Sequence, residues 1–461
     1  VEGFDIMTMQ NLFRSFSRGI TWNALFFVFY KLSVTLLAFV LFYVLTPGDF
    51  STWANTNSII FLLLLWLDFG LRKSIPRYAP FFAQQKRTQQ LFIGGLVIVQ
   101  ISLLFCALPL FIAGAQRLAL LLQLPVPSLL LPLASVIFFT EGCVALMRLI
   151  FHAHFWIREF NQLAMVIVGI ELAVDLMLAW VLHMPSHTLV HLLFITKSIA
   201  SFTLIVTSSY MLKKLYTHAK HPGDTDHALC TKRPPIRQFI THSFVMGTFT
   251  NLKSLSERNF LLPFLTVTLG ASQANLFKIA NDSALLFYRT ILKTIGTTDT
   301  ALLAHAQLLE KSLSLRAKHP TPDPHREKEN IEPDKKEILS VAFSKLKKQI
   351  LWLCIPMLAI LIFLIPFKDR LFFDMHAMHA FFIMVFGYIF EAFLSPYERL
   401  LEIQRCYREI FIAYVPYCLT ILYVLTHTQS LSLTSVLFIF HSTRLLGAGI
   451  IVGCAKQKFA V

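Results

Sequence analysis

Ionisable residues are scarce in this sequence: Asp, Glu, Lys and Arg make up 15% of 461 residues, against 56% hydrophobic ones. The mean hydropathy is +0.62, more apolar surface than one soluble core can bury. The common motifs of nucleotide and hydrolytic chemistry are also missing. There is no GxxxxGK(S/T) loop, no HExxH and no GxSxG, which removes the usual grounds for expecting an enzyme. The seven cysteines (Cys106, Cys143, Cys230, Cys354, Cys406, Cys418 and Cys454) form no CxxC pair. Most fall inside apolar runs, so small apolar filler is the expected role rather than a disulfide framework or zinc site. His152 with His154, and His376 with His379, have spacings compatible with a metal, but they read as interfacial polar residues.

What the sequence has in quantity is apolar runs long enough to cross a bilayer, which takes about 20 residues of helix. They lack the alternation of barrel strands. Backbone groups in lipid must pair within the segment, so an all-α polytopic membrane protein is expected. Reading runs and polar breaks places twelve spans near 20–45, 52–70, 91–113, 128–150, 162–182, 188–212, 240–268, 272–298, 350–366, 377–396, 409–426 and 432–454. The seventh is interrupted by Lys253, Glu257 and Arg258. The first follows Arg14 and Arg18 and lacks a small-residue cleavage site, which predicts a retained anchor.

The loops test this count. One side receives 30 of the 41 Lys and Arg, including Arg72, Lys73, Arg77, Lys213, Lys214 and ten basic residues between 311 and 348. The other holds Arg117, Lys368 and Arg370. Basic loops stay in the cytoplasm, so an even count with both termini cytoplasmic is expected, in a cell (inner) membrane of bacterial type. The net charge of +15 is thereby assigned to topology and anionic headgroups, not to nucleic acid. Residues 213–237 read as a cytoplasmic linker between two six-helix halves, 1–212 and 238–461. Residues 308–348 form a polar, proline-rich cytoplasmic loop in the second half. Duplicated halves suggest a transporter with its substrate site between them.

Charges inside spans are costly and usually face a partner or a wet cavity. Lys278, Asp282, Arg289 and Lys293 in the eighth span lie within a stripe of roughly 60°. Such a stripe suits a water-filled lumen and an anionic ligand. The alternative is an internal Lys278–Asp282 pair, with Arg289 and Lys293 reaching for headgroups. Lys253 and Glu257 are spaced for an i,i+4 pair, leaving Arg258 for a partner elsewhere or a ligand. Lys31, Lys197 and Arg444 sit near mid-span, as paired or cavity charges. Glu171 and Asp175 share a helical face and could hold a proton or sodium ion; alternatively they neutralise Lys31 or Lys197. Asp282 is a further ion-coupling candidate, and Glu141 and Glu391 are single carboxylates. The second half carries an excess of about three positive charges over its carboxylates.

The run SIIFLLLLWLDFGLRKSIPRYAPFFAQQKR (58–87) resembles the close of the second helix in polysaccharide and oligosaccharidyl-lipid flippases of the multidrug/oligosaccharidyl-lipid/polysaccharide (MOP) superfamily. The run LSERNFLLPFLTVTLGASQANLFKIANDSALLF (255–287) resembles their passage from the seventh to the eighth helix. The stretch TIGTTDTALLAHA (294–306) departs from the pattern by lacking a proline. The resemblance implies a flippase moving a lipid-linked oligosaccharide or related anionic glycolipid outward by alternating access. It implies no cofactor beyond a coupling proton or sodium ion, and glycan-assembly proteins as partners. On that expectation Arg258, Lys278 and Arg289 contact the headgroup, with Lys31, Lys253 and Arg444 as second choices. A multidrug exporter of the same superfamily and a non-transporting membrane scaffold are the rival expectations.

Overall fold

The computed structural model describes residues 2–71, 74–75, 77–78, 86–121, 130–153, 156–180, 185–218, 236–255, 258–295, 337–364, 375–404, 406–427 and 431–459. Within them the chain is helical, with no strand. Thirteen helices are described: α1 (Glu2–Val44), α2 (Pro47–Trp66), α3 (Lys86–Leu121), α4 (Leu130–Ala153), α5 (Ile157–Trp180), α6 (Ser186–His218), α7 (Ile236–Ser254), α8 (Arg258–Leu269), α9 (Ala271–Ile295), α10 (Glu337–Leu364), α11 (Met375–Ile403), α12 (Tyr407–Thr426) and α13 (Leu433–Phe459).

Every expected span falls on a helix, and the expected seventh is two helices, α7 and α8. The break follows Ser254, whose hydroxyl donates to the Asn251 carbonyl (2.7 Å) and accepts from the Trp66 indole N–H (2.9 Å). A helix end left in an apolar interior needs such partners. α2 begins at Thr46, whose hydroxyl caps the amide of Asp49 (3.2 Å) ahead of Pro47. Its far end turns sharply through Phe69 and Gly70, both at positive φ (44° and 76°), a backbone region costly for Phe and natural for Gly. α6 continues through Lys213 and Lys214 to His218, where a linker was expected to have begun. Residues 219–235 and 296–336 lie outside the described residues.

Eight helices, α1, α3, α4, α5, α6, α11, α12 and α13, carry stretches long and apolar enough to cross a membrane, and the chain is an integral membrane protein. α2 fails that test because it is polar, not because it is short. Ser51, Thr52, Asn55, Thr56 and Ser58 are all buried. They are tolerated because protein rather than lipid surrounds them. Asn275, Lys278, Asn281, Asp282 and Ser283 give α9 the same character. The large exposed side chains are instead apolar, among them Leu91, Ile170, Trp180, Phe202, Trp352 and Phe438, as suits a surface facing acyl chains.

Helices α1–α6 pack on one another chiefly through α1 with α5, α4 with α6, and α5 with α6. Helices α7–α13 do so through α11 with α13, α9 with α11, and α12 with α13. Two apolar cores follow this grouping, one around Phe50, Leu104, Phe138 and Leu193, the other around Leu265, Phe277, Met384 and Leu437. The groups meet along α1 with α9, and along α2 with α7, α8 and α9. Each core borrows from the other there: Ile279 of α9 joins the first, Ala54 of α2 the second.

Candidate functional site: three buried charge clusters

The first cluster lies between α4, α5 and α6. Lys197 and Ser201 are one turn apart on α6, and Glu171 and Asp175 one turn apart on α5, so each pair shares a face. The Lys197 ammonium is 3.0 Å from Glu141 of α4 and 3.5 Å from Glu171. Ser201 donates to Glu141 (2.7 Å), and Thr196 donates to Asp175 Oδ1 (2.5 Å). Asp175 is buried. Among the described residues, Glu141 and Glu171 therefore share one lysine at ion-pair distance, and Asp175 lies one turn further along α5 with Thr196 as its partner. Glu171 and Asp175 were read from sequence as a shared face. Glu141, a lone carboxylate in the sequence, is the nearest partner of Lys197.

The second cluster lies where α1, α2 and α9 meet. Lys278 and Asp282 form an i,i+4 ion pair of 2.7 Å, each side chain 1% exposed. Trp53 of α2 lies under the ammonium, 4.6 Å from ring centroid to Nζ, a cation–π contact strengthened by the dry surroundings. Thr35 of α1 donates to the Asp282 carbonyl (3.3 Å). Lys31, one turn before Thr35, is buried as well. The structure brings Lys31, Lys278 and Asp282 into the seam between the two helix groups, and Lys278 is satisfied there by its own helix.

The third cluster joins α9, α11 and α13. Tyr388 donates to Asn281 (3.0 Å) and packs edge-on against His441, centroids 4.9 Å apart. Arg444 lies over the Tyr388 ring and 2.8 Å from Glu391. A small cleft beside the pair is lined by Glu391, Ser395, Glu398, Tyr414, Tyr417 and Arg444, with Tyr414 donating to Glu398 (2.6 Å). Arg444 thus takes its paired reading, with Glu391 the partner that sequence alone did not assign. The side chains of Lys253, Arg258 and Arg289 lie outside the described residues.

These clusters share one physical logic. An ion costs several kcal/mol to remove from water even after relaxation, and it is kept charged in a membrane interior by an opposite charge and hydrogen bonds. Lys197, Lys278 and Arg444 each have both or an aromatic face in addition. The positive excess counted along the second half is therefore locally cancelled at Lys278 and at Arg444. In the first cluster Asp175 on α5 is the carboxylate that has no cation at ion-pair distance among the described residues.

No family model and no curated protein matches this sequence. Solved structures do match along nearly the whole chain. One is an outward-facing multidrug resistance MATE family transporter of the MOP superfamily, 14% identical, covering 96% of this chain and 95% of that one, with a TM-score of 0.58. A mutant of the Vibrio cholerae MATE transporter VcmN is 9% identical, covering 97% and 98%, with a TM-score of 0.65. A third is a MOP superfamily transporter from Pyrococcus furiosus Vc1 (DSM3638), in which a reverse polarity of the binding pocket suggests a different function. It is 14% identical, covers 96% and 95%, and has a TM-score of 0.60. At these identities the likeness carries the fold. The polysaccharide flippase group that the two sequence segments resemble is not among these structures.

Proposed function

We propose that this protein is a non-enzymatic membrane transporter that works by alternating access, exporting organic cations or amphiphiles in exchange for protons. The observation that carries the reading is the buried carboxylate of Asp175, bonded to Thr196 and with no cation at ion-pair distance among the described residues. A carboxylate without its own cation in a membrane interior is the group that a proton or a cationic solute neutralises. Asp175 is the coupling residue, held by Thr196. Lys197 keeps Glu141 and Glu171 charged and in place. The MATE transporters among the similar structures support a multidrug exporter over the flippase that the sequence segments suggested. So does the local cancellation of charge at Lys278 and Arg444, which weakens the case for an anionic ligand at those two residues.

One observation favours a second reading. The Pyrococcus furiosus structure belongs to a MOP superfamily transporter with a binding pocket of reverse polarity, and the sequence carries Lys253, Arg258 and Arg289 in its second half. A lipid-linked oligosaccharide or related glycolipid would suit such a pocket, with Lys31 as a further contact.

Reconstituted vesicles decide between them. Under an imposed pH gradient, the intact protein should move a fluorescent organic cation such as ethidium, and Asp175→Asn should abolish that movement at equal abundance and folding. Outward delivery of a lipid-linked oligosaccharide, with no proton-driven movement of any cation tried, would replace the exporter with the flippase.

A further inference from the structure

One contact between the two helix groups is made backbone to backbone. At the end of α2 the Phe69–Gly70 turn presses directly on the backbone of α7. A Cβ on Gly70 would stand 2.2 Å from the Ser243 carbonyl oxygen and 2.5 Å from the Gly247 nitrogen. A Cβ on Gly247 would stand 2.6 Å from the Phe69 carbonyl carbon. Both glycines are therefore required by close approach, and Gly70 also by its positive φ. Side-chain bonds across the same end surround the contact. Trp66 donates to Ser254 (2.9 Å), Tyr78 donates to the Gln238 carbonyl (3.3 Å), and Arg77 donates to the Glu402 carbonyl. Phe239 of α7 receives the rings of Tyr78 and of Phe92 from α3.

The opposite end of α2 is joined differently. There Asn275 donates to the Pro47 carbonyl (3.2 Å), and Thr266 to Asn55 (3.3 Å). These are bonds between flexible side chains and their neighbours, which stretch or exchange for water one at a time. Backbone on backbone has no such give. Packed surfaces are bistable rather than continuously deformable, so the glycine contact is either closed or parted.

We propose that the contact of Phe69–Gly70 with Ser243 and Gly247 is the seal of a gate. The two helix groups part there to open the seam beside Lys278 to the side that the basic residues after α2 assign to the cytoplasm. This rests on the transporter reading, since only a protein that alternates its access needs the contact to part. The seal lets two rigid groups close without a side chain having to find its rotamer, and its surrounding bonds re-form on each closure.

The test uses a chain with its seven cysteines replaced and one thiol introduced by Ser243→Cys. The thiol is titrated with a hydrophilic maleimide in open membrane fragments, where both faces are accessible. With both glycines intact, labelling should be slow. Gly247→Val or Gly70→Val should raise the rate about tenfold or more, because a closed state that holds most of the population becomes sterically forbidden. Gly94→Val is the control, since a Cβ there meets nothing within 4 Å, and it should change nothing.

A second arm keeps both glycines. Trp66→Cys and Ser254→Cys, joined by a short bifunctional thiol reagent before the Ser243→Cys site is exposed by a reducible protecting group, should lower labelling below the uncrosslinked rate. Folded glycine variants that label like the parent would overturn the seal, as would crosslinking without effect on labelling. Where a glycine variant does not fold, the crosslinked arm decides alone. Both arms are read without substrate. Failure of the transporter reading appears as no solute movement by the unmodified protein, whereas failure of the gate appears as movement that persists in the crosslinked one.

Discussion

Replacing Lys197 by Met should destabilise the protein by about 3 kcal/mol, and removing its two acidic partners as well should restore most of that loss. At 3.0 and 3.5 Å from Glu141 and Glu171, the ammonium gains about 5 kcal/mol from each carboxylate at an effective dielectric of ~20. Most of that gain offsets the cost of taking three ions out of water. The single substitution discards the gain and keeps two carboxylates that have lost their cation, a state that typically costs about 3–5 kcal/mol. The lower end applies because 21% of the Lys197 side chain remains accessible, which leaves room for water. Glu141→Gln and Glu171→Gln then remove the stranded charges while preserving the shape, and the Gln carbonyl at 141 can still accept from Ser201. The triple variant should lie within about 1–2 kcal/mol of the parent, since neutral replacements of buried ion clusters are often nearly neutral in stability. Unfolding in mixed micelles of increasing dodecyl sulfate fraction, monitored by circular dichroism and checked for reversal, gives the three free energies. A single variant as stable as the parent, or a triple variant no better than the single one, would refute the reasoning.

Two further outcomes follow from close packing and from the third cluster. Gly142→Val should cost about 1–3 kcal/mol as an over-packed site, because a Cβ there meets Leu104 Cδ2 at 2.6 Å and Leu64 Cδ2 at 3.2 Å; Gly169→Ala, with its nearest atom at 3.5 Å, should change the same unfolding midpoint little. Arg444→Met should destabilise by about 3–5 kcal/mol by stranding Glu391, and adding Glu391→Gln should recover more than half. Equal stability of the single and double variants in that cycle would mean that the 2.8 Å pair contributes nothing.

Much of the fold was legible because a bilayer leaves a chain few choices. Apolar runs had to become helices, and Lys253, Glu257 and Arg258 correctly marked the span that the structure divides into α7 and α8. The pair Lys278–Asp282 was legible for the same reason, since both partners lie on one helix and spacing alone sets their geometry. Partners on different helices were not. Nothing in the sequence brings Glu141 of α4 to Lys197 of α6, or Glu391 of α11 to Arg444 of α13, because adjacency in a bundle is decided by packing between distant segments. α2 was expected as a span from its length and its apolar second half, and what the sequence did not show is that the polar residues of its first half are buried against neighbouring helices. Gly70 and Gly247 carry no signal of their partnership at all, since a glycine in sequence looks the same whether it serves a turn or a contact.

The sign of the buried charge illustrates how a sum along a sequence differs from a sum in space. Counted by half, the second half carries surplus cations, which favoured an anionic lipid. Counted by contact, Lys278 is cancelled by Asp282 and Arg444 by Glu391, so neither offers a free charge to a ligand while its partner stays ionised. The cluster on α4–α6 reverses the sign, with Asp175 bonded to Thr196 while Lys197 serves Glu141 and Glu171. A transported cation or proton would settle against Asp175 with little rearrangement, whereas a pyrophosphate would first have to separate the Lys278–Asp282 pair. That separation strands a buried carboxylate, at about 3–5 kcal/mol. The proposed exporter needs no such step, and that asymmetry separates the two proposed cargoes more sharply than the count of basic residues does.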